Sequence, residues 1–115
     1  MTYQGSCHCG AVAFTVAGEP PEKAMSCNCS HCRRKGFLLT FVPAAQFTLD
    51  QGADRLGSYE FYRHAIHHKF CTNCGTQPFA EGEMGGAAMR AVNLRCVPDV
   101  DLESLAIEKV DGASF

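Results

Sequence analysis

Along most of this chain apolar residues recur at every second position, in runs of only five to eight residues. In Ala11 to Ala17, Val12, Phe14 and Val16 share one face, and Gly18-Glu19-Pro20-Pro21 ends the run, as expected of a half-buried strand closed by a turn. A second short strand is expected from Lys23 to Cys27. Phe37 to Val42 is apolar and stops at Pro43, compatible with a buried strand. Pro43 to Gln46 suits a single helical turn before Phe47-Thr48-Leu49. Leu56 to Tyr62 and His64 to Phe70 read as two more strands, the first alternating aromatic and polar residues. Gln77 to Ala80 is expected as a short edge strand, because Pro78 cannot donate to a ladder. Glu81 to Gly86 reads as a flexible loop and Ala87 to Leu94 as a strand. Asp99 to Leu105 suits one helical turn with an acidic residue near its start. Nothing repeats at a solenoid period and no linker divides the chain, so residues 1–115 are expected to form one mostly β domain.

Composition narrows the function classes. Hydrophobic residues make up 46% and charged residues 19% of the 115, the profile of a folded chain with a modest core. A domain of this size is expected to need an additional staple. The formal net charge of −2 argues against non-specific binding to nucleic acid or to acidic membranes. No apolar run is long enough to span a bilayer, and the first residues lack a basic segment followed by an apolar one, so a cytoplasmic location is expected.

Eight cysteines change the picture most. A disulfide framework would require an oxidising compartment. The spacing argues otherwise: Cys7 and Cys9, like Cys27 and Cys29, are one residue apart, too close to bridge without strain. Such spacing instead lets successive thiolates converge on one cation. Three clusters stand out: Cys7-His8-Cys9-Gly10; Cys27-Asn28-Cys29-Ser30-His31-Cys32; and Cys71-Thr72-Asn73-Cys74-Gly75. The first and third end in Cys-Gly, where glycine lets the backbone wrap a thiolate closely. Pairing Cys7 and Cys9 with Cys71 and Cys74 makes a closed, structural four-thiolate zinc site.

Cys27, Cys29 and Cys32 then form a second set with an open position, the pattern of a catalytic zinc. Arg33, Arg34 and Lys35 follow directly, and their charge favours thiolate ionisation and suits an anionic substrate. Two other partitions stay open at this level. Cys29 and Cys32 can pair with Cys71 and Cys74 as a double Cys-x-x-Cys ribbon, or His31 or His8 can fill the open site so that both zincs are structural.

These clusters, in this order, resemble the glutathione-dependent formaldehyde-activating enzyme family, also called centromere-protein-V-like. The resemblance rests on Gly5 to Gly10, Cys27 to Arg33 and Phe70 to Thr76, with Val92-Asn93-Leu94-Arg95 and Val110-Asp111-Gly112-Ala113 in addition. It implies an Mss4-like fold with stacked antiparallel sheets around a structural zinc. It also implies two zinc ions per chain, one held by Cys7, Cys9, Cys71 and Cys74 and a reactive one at Cys27, Cys29 and Cys32. The implied activity is of the carbon–sulfur lyase type, joining the thiol of glutathione to formaldehyde as S-hydroxymethylglutathione. The compact length departs from the larger members, which bears on the substrate. The competing expectation is a zinc-stabilised binding module of the same fold without catalysis.

Remaining polar and aromatic candidates are weaker. His64, His67 and His68 lie on an expected strand, where His67 and His68 must face opposite ways, so at most one serves a given site. Cys96 reads as a small buried hydrophobe. Tyr59, Phe61, Phe70 and Phe79 are expected to fill the core, and Gly85-Gly86 to form a plain hairpin loop.

Overall fold

The computed structural model of the chain describes residues 1–61 and 65–114. Ten strands and one turn of α-helix follow in order: β1 (Thr2–Ser6), β2 (Ala13–Ala17), β3 (Lys23–Cys27), α1 (Cys32–Lys35), β4 (Leu39–Pro43), β5 (Phe47–Gln51), β6 (Leu56–Tyr59), β7 (His67–Cys71), β8 (Phe79–Met84), β9 (Ala87–Asn93) and β10 (Ala106–Val110). They form a three-stranded sheet, β1-β2-β5, and a seven-stranded sheet, β10-β3-β4-β9-β8-β7-β6. Every pairing is antiparallel except β10 with β3, which is parallel. The fold is mostly β, with the two sheets stacked on a common core.

The alternation in the sequence explains the stacking. Tyr3, Phe14 and Val16 turn inward from the small sheet and meet Val42 and Val92 from the large one; Leu94, Val97 and Val100 close the cluster from the segment after β9. A second cluster holds Cys7, Val12, Cys71 and Phe79, so two cysteines are part of the packing. Phe14, Phe47 and Phe79 bridge the clusters, with ring centroids 5.2 Å apart for Phe14–Phe47 and 4.7 Å for Phe47–Phe79. Each fully buried aliphatic or aromatic side chain contributes about 1.5–3 kcal/mol through removal from water.

Several expectations are corrected. The β8 strand is interior, not an edge: it lies between β7 and β9, with Pro78 just before its first residue and the Pro78 carbonyl accepting from Asn93 N at 2.9 Å. The expected loop Glu81 to Gly86 is mostly strand, because β8 runs to Met84 and pairs Met84 with Ala87. Only Gly85 and Gly86 turn, both at positive φ (60° and 82°), which suits the tight two-residue hairpin.

β1 and β10 were not expected at all. Within β1 only Tyr3 is a large apolar residue, and the position of Gly5 is one where an added Cβ would strike the Phe14 ring and the Cys96 carbonyl. β10 is exposed along nearly its whole length, so its sequence carries no alternation to read. Tyr62 and His64, the expected end of one strand and start of the next, lie outside the described residues, as does the candidate role of His64. Among the described residues, no helix is long and apolar enough to cross a membrane.

Candidate metal centres

The turn between β1 and β2 and the turn between β7 and β8 approach each other at the edge of the core. They bring the sulfurs of Cys7, Cys9, Cys71 and Cys74 within 4.8 Å of one another. Cys7 Sγ lies 3.7 Å from Cys9 Sγ, and Cys9 Sγ lies 3.6 Å from Cys71 Sγ. Zinc–thiolate bonds of about 2.3 Å at tetrahedral angles require sulfur–sulfur edges of about 3.8 Å, so the four donors fit such an ion. All eight cysteines are free, and these separations are far beyond a disulfide bond.

Backbone wraps these sulfurs as the Cys-Gly turns require. Val12 N donates to Cys7 Sγ at 3.3 Å and Cys74 N to Cys71 Sγ at 3.5 Å, while Gly10 and Gly75 take φ of 82° and 80°. The hydrogen bonds split the thiols electrostatically. Those from the Thr76 side chain, Cys9 N–H and Thr76 N–H hold Cys74 down at about 5, and the Asn73 side chain with Ala11 N–H lowers Cys9. Burial raises Cys7. A cation among them would favour thiolate at every position. Cys96 sits close by, but burial and the neighbouring Cys7 and Cys74 thiolates push its thiol up to about 11, and it belongs to the core.

The second group forms where β3 ends. Cys27, the last residue of β3, Cys29 in the following turn and Cys32, the first residue of α1, bring their sulfurs within the same 4.8 Å. Cys29 N donates to Cys27 Sγ at 3.5 Å and Cys32 N to Cys29 Sγ at 3.3 Å, so two of the three sulfurs are supported by the chain that follows them. For Cys29, burial opposes ionisation, but the Cys32 N–H, the Cys32 thiol and the His31 N–H together outweigh it and the thiol is lowered. Burial, with Cys29 and Cys27 beside it, raises Cys32. Three soft donors and no fourth among the described residues can hold a metal and leave a position free. Cys29 and Cys32 do not converge on Cys71 and Cys74, which answers the double-ribbon alternative.

His31 is not a donor to either group. Its ring lies against His68 with centroids 4.2 Å apart, against Phe61 at 5.2 Å, and against Phe37 and Tyr59 at 5.6 Å each. His8 is exposed and outside the four-thiolate group. Tyr59 and Phe61, expected in the core, instead wall this imidazole nest, and Tyr59 is half exposed. Phe79 is core as expected. His68 is buried, and Gln77 Nε2 donates to its Nδ1 at 3.1 Å, placing the proton of the neutral ring on Nε2. Burial above all, then His31, Lys35 and His67, pulls His68 down to about 4.

The nest escaped the sequence reading because it is assembled from four separated segments; the buried pair His68 and Gln77 is visible only in three dimensions. Arg33, Arg34 and Lys35 are exposed along α1, and Arg34 Nη1 donates to Ser30 O at 2.7 Å. Two shallow depressions of about 370 and 470 Å³ are lined by none of the seven clustered cysteines.

The sequence model of the family described as glutathione-dependent formaldehyde-activating enzyme matches residues 2–106, a span containing all seven of these cysteines. The chain belongs to that family. A Halomonas elongata protein named "Putative glutathione-dependent formaldehyde-activating enzyme" is 30% identical over an 84-residue alignment. That alignment covers 66% of this chain and 54% of the relative, so the chain spans about half the relative's length. A Rhodobacter sphaeroides protein with a solved crystal structure superposes with a TM-score of 0.82 at 28% identity, covering 93% of this chain and 99% of that one. The stacked-sheet architecture is therefore shared beyond this family member.

Proposed function

We propose that residues 1–115 act as one zinc domain that joins a small thiol, glutathione in the first instance, to formaldehyde, a reaction of the carbon–sulfur lyase type. One zinc is structural, at Cys7, Cys9, Cys71 and Cys74; the other is reactive, at Cys27, Cys29 and Cys32. The observation that carries the reading is the second group: three converging thiols without a fourth protein donor among the described residues, in a chain of this family. A purely structural site has no use for a vacancy.

A zinc ion held there supplies a place for a substrate thiol and lowers its pKa toward neutrality. The chain does the rest. The N–H groups of Cys29 and Cys32 hold two of the sulfurs, so an ion bound there would meet donors that the backbone has already oriented. The exposed guanidinium and ammonium groups of Arg33, Arg34 and Lys35 on α1 can receive the carboxylates of an anionic thiol. In the forward reaction the thiol sulfur forms a bond to the formaldehyde carbon, the carbonyl π bond opens, and the thiol proton ends on the new hydroxyl oxygen. The reverse reaction breaks that carbon–sulfur bond. Eight free thiols suit a reducing compartment such as the cytoplasm.

Exchange spectroscopy by NMR tests the reading. With glutathione and formaldehyde at equilibrium, zinc-loaded protein should accelerate interconversion of glutathione and its hydroxymethyl adduct, and Cys29→Ser should not. No acceleration together with no glutathione binding would instead leave a zinc-stabilised binding module.

A further inference from the structure

The end of the chain returns to the three-thiolate group. β10 pairs in parallel with β3 from Ala106↔Lys23 to Val110↔Cys27, so its last residue lies beside the first of the three cysteines. Beyond it, the chain grips Asn28, which stands between Cys27 and Cys29. Asn28 N donates to Val110 O at 3.1 Å, Asn28 Nδ2 donates to Asp111 Oδ1 at 2.9 Å, and Ala113 N donates to Asn28 Oδ1 at 3.0 Å. Ser114 Oγ donates to Asp111 Oδ2 at 2.6 Å and holds the carboxylate in place.

Between these bonds Gly112 lies directly against Cys27. An added Cβ there would collide with Cys27 Sγ and come within 3.4 Å of Cys29 Cβ. Gly112 is not among the glycines at positive φ, so space, not backbone conformation, is what demands glycine at this position.

We propose that Asp111–Ala113 is a positioning clamp for the three-thiolate group, with Gly112 setting where the Cys27 sulfur stands. The proposal rests on the reading that this group holds a metal. Asn28 is locked from both ends of its side chain, so the turn carrying Cys27 and Cys29 cannot open without breaking three hydrogen bonds to the tail. The Gly112 backbone closes one approach to Cys27 Sγ, leaving the incoming ligand the other sides. β10 is an exposed edge strand that, among the described residues, pairs only with β3, so the segment after it is one of the less firmly held parts of the fold. Docking of the tail and metal binding at the three cysteines then favour each other reciprocally. The closed group is built on the β1–β2 and β7–β8 turns, and its sulfurs and their backbone donors Val12 and Cys74 lie outside β10 and the tail.

Cobalt(II) titration tests this, because thiolate-to-cobalt charge-transfer bands report each site without any activity. The full chain should take up two cobalt ions. Gly112→Val should keep the first with an unchanged spectrum and bind the second at least about tenfold more weakly, the usual scale for losing an outer-shell support. Asn28→Leu removes two clamp hydrogen bonds without adding bulk at the sulfur and should weaken the second ion by a similar factor. It decides the matter if Gly112→Val fails to fold. Wild-type affinity and spectrum for the second ion in a folded Gly112→Val protein, or in Asn28→Leu, would overturn the clamp. A wild-type chain that takes up only one ion would instead overturn the underlying assignment of a second metal.

Discussion

Replacing one cysteine from each group separates their roles. Cys71 is fully buried, packs in one cluster with Cys7, Val12 and Phe79, and its sulfur is 3.6 Å from Cys9 Sγ. A structural zinc contributes on the order of 10 kcal/mol or more to folding. The whole net stability of a domain is only about 5–15 kcal/mol. Cys71→Ala, which breaks the four-donor set and empties a buried position, therefore removes a term as large as everything holding the fold. The protein should be largely unfolded at 25 °C. Cys29 is half-buried, and its sulfur accepts from Cys32 N at 3.3 Å, a bond at the edge of the fold and not in a core cluster. Cys29→Ala should cost about 1 kcal/mol, the value of one such bond, plus whatever stabilisation a second metal adds. Urea denaturation followed by far-ultraviolet circular dichroism, both variants with equimolar zinc, reads the difference. A folded baseline and a slightly lowered midpoint are expected for Cys29→Ala, and no folded baseline for Cys71→Ala. Equal losses in the two variants would refute the assignment of one structural and one reactive group.

Three further outcomes follow from the packing. Leu94→Ala removes a fully buried side chain from the main cluster and should cost about 2–5 kcal/mol, measured by urea denaturation. Gly52 and Gly36 both have left-handed backbone (φ 93° and 69°), but an added Cβ at Gly52 meets the Ala11 carbonyl and at Gly36 meets nothing. Gly36→Ala should cost about 1 kcal/mol and Gly52→Ala clearly more, by the same assay. His68 is held at about 4 against an ordinary 6.5, so its contribution to stability is full above pH 6.5 and declines as pH falls from there toward 4. In NMR titration its ring resonances should stay fixed from pH 8 to 5; a midpoint near 6.5 would contradict the buried, Gln77-bonded ring.

Strands whose inward residues alternate were legible: β2 follows from Val12, Phe14 and Val16, and β4 from its apolar run before Pro43. The convergence of Cys7 and Cys9 with Cys71 and Cys74 was legible too, because two Cys-Gly turns advertise a backbone that curls around sulfur. β10 was not, since an exposed edge strand buries no pattern. It forms by pairing with its sheet neighbour β3, more than eighty residues away in the chain, which local sequence does not encode. Tyr59 and Phe61 misled because aromatic alternation looks the same whether the rings face a core or a pair of histidines. The grip of Asp111 and Ala113 on Asn28 spans more than eighty residues of chain and left no local trace beyond the residues themselves.

The count of metal ions per chain bears most directly on the account. Protein reconstituted with excess zinc and then desalted should retain about two zinc ions per chain by elemental analysis, and one in Cys29→Ser. A wild-type value of one would mean that Cys27, Cys29 and Cys32 do not hold a metal by themselves, and would contradict the reactive centre at those three cysteines.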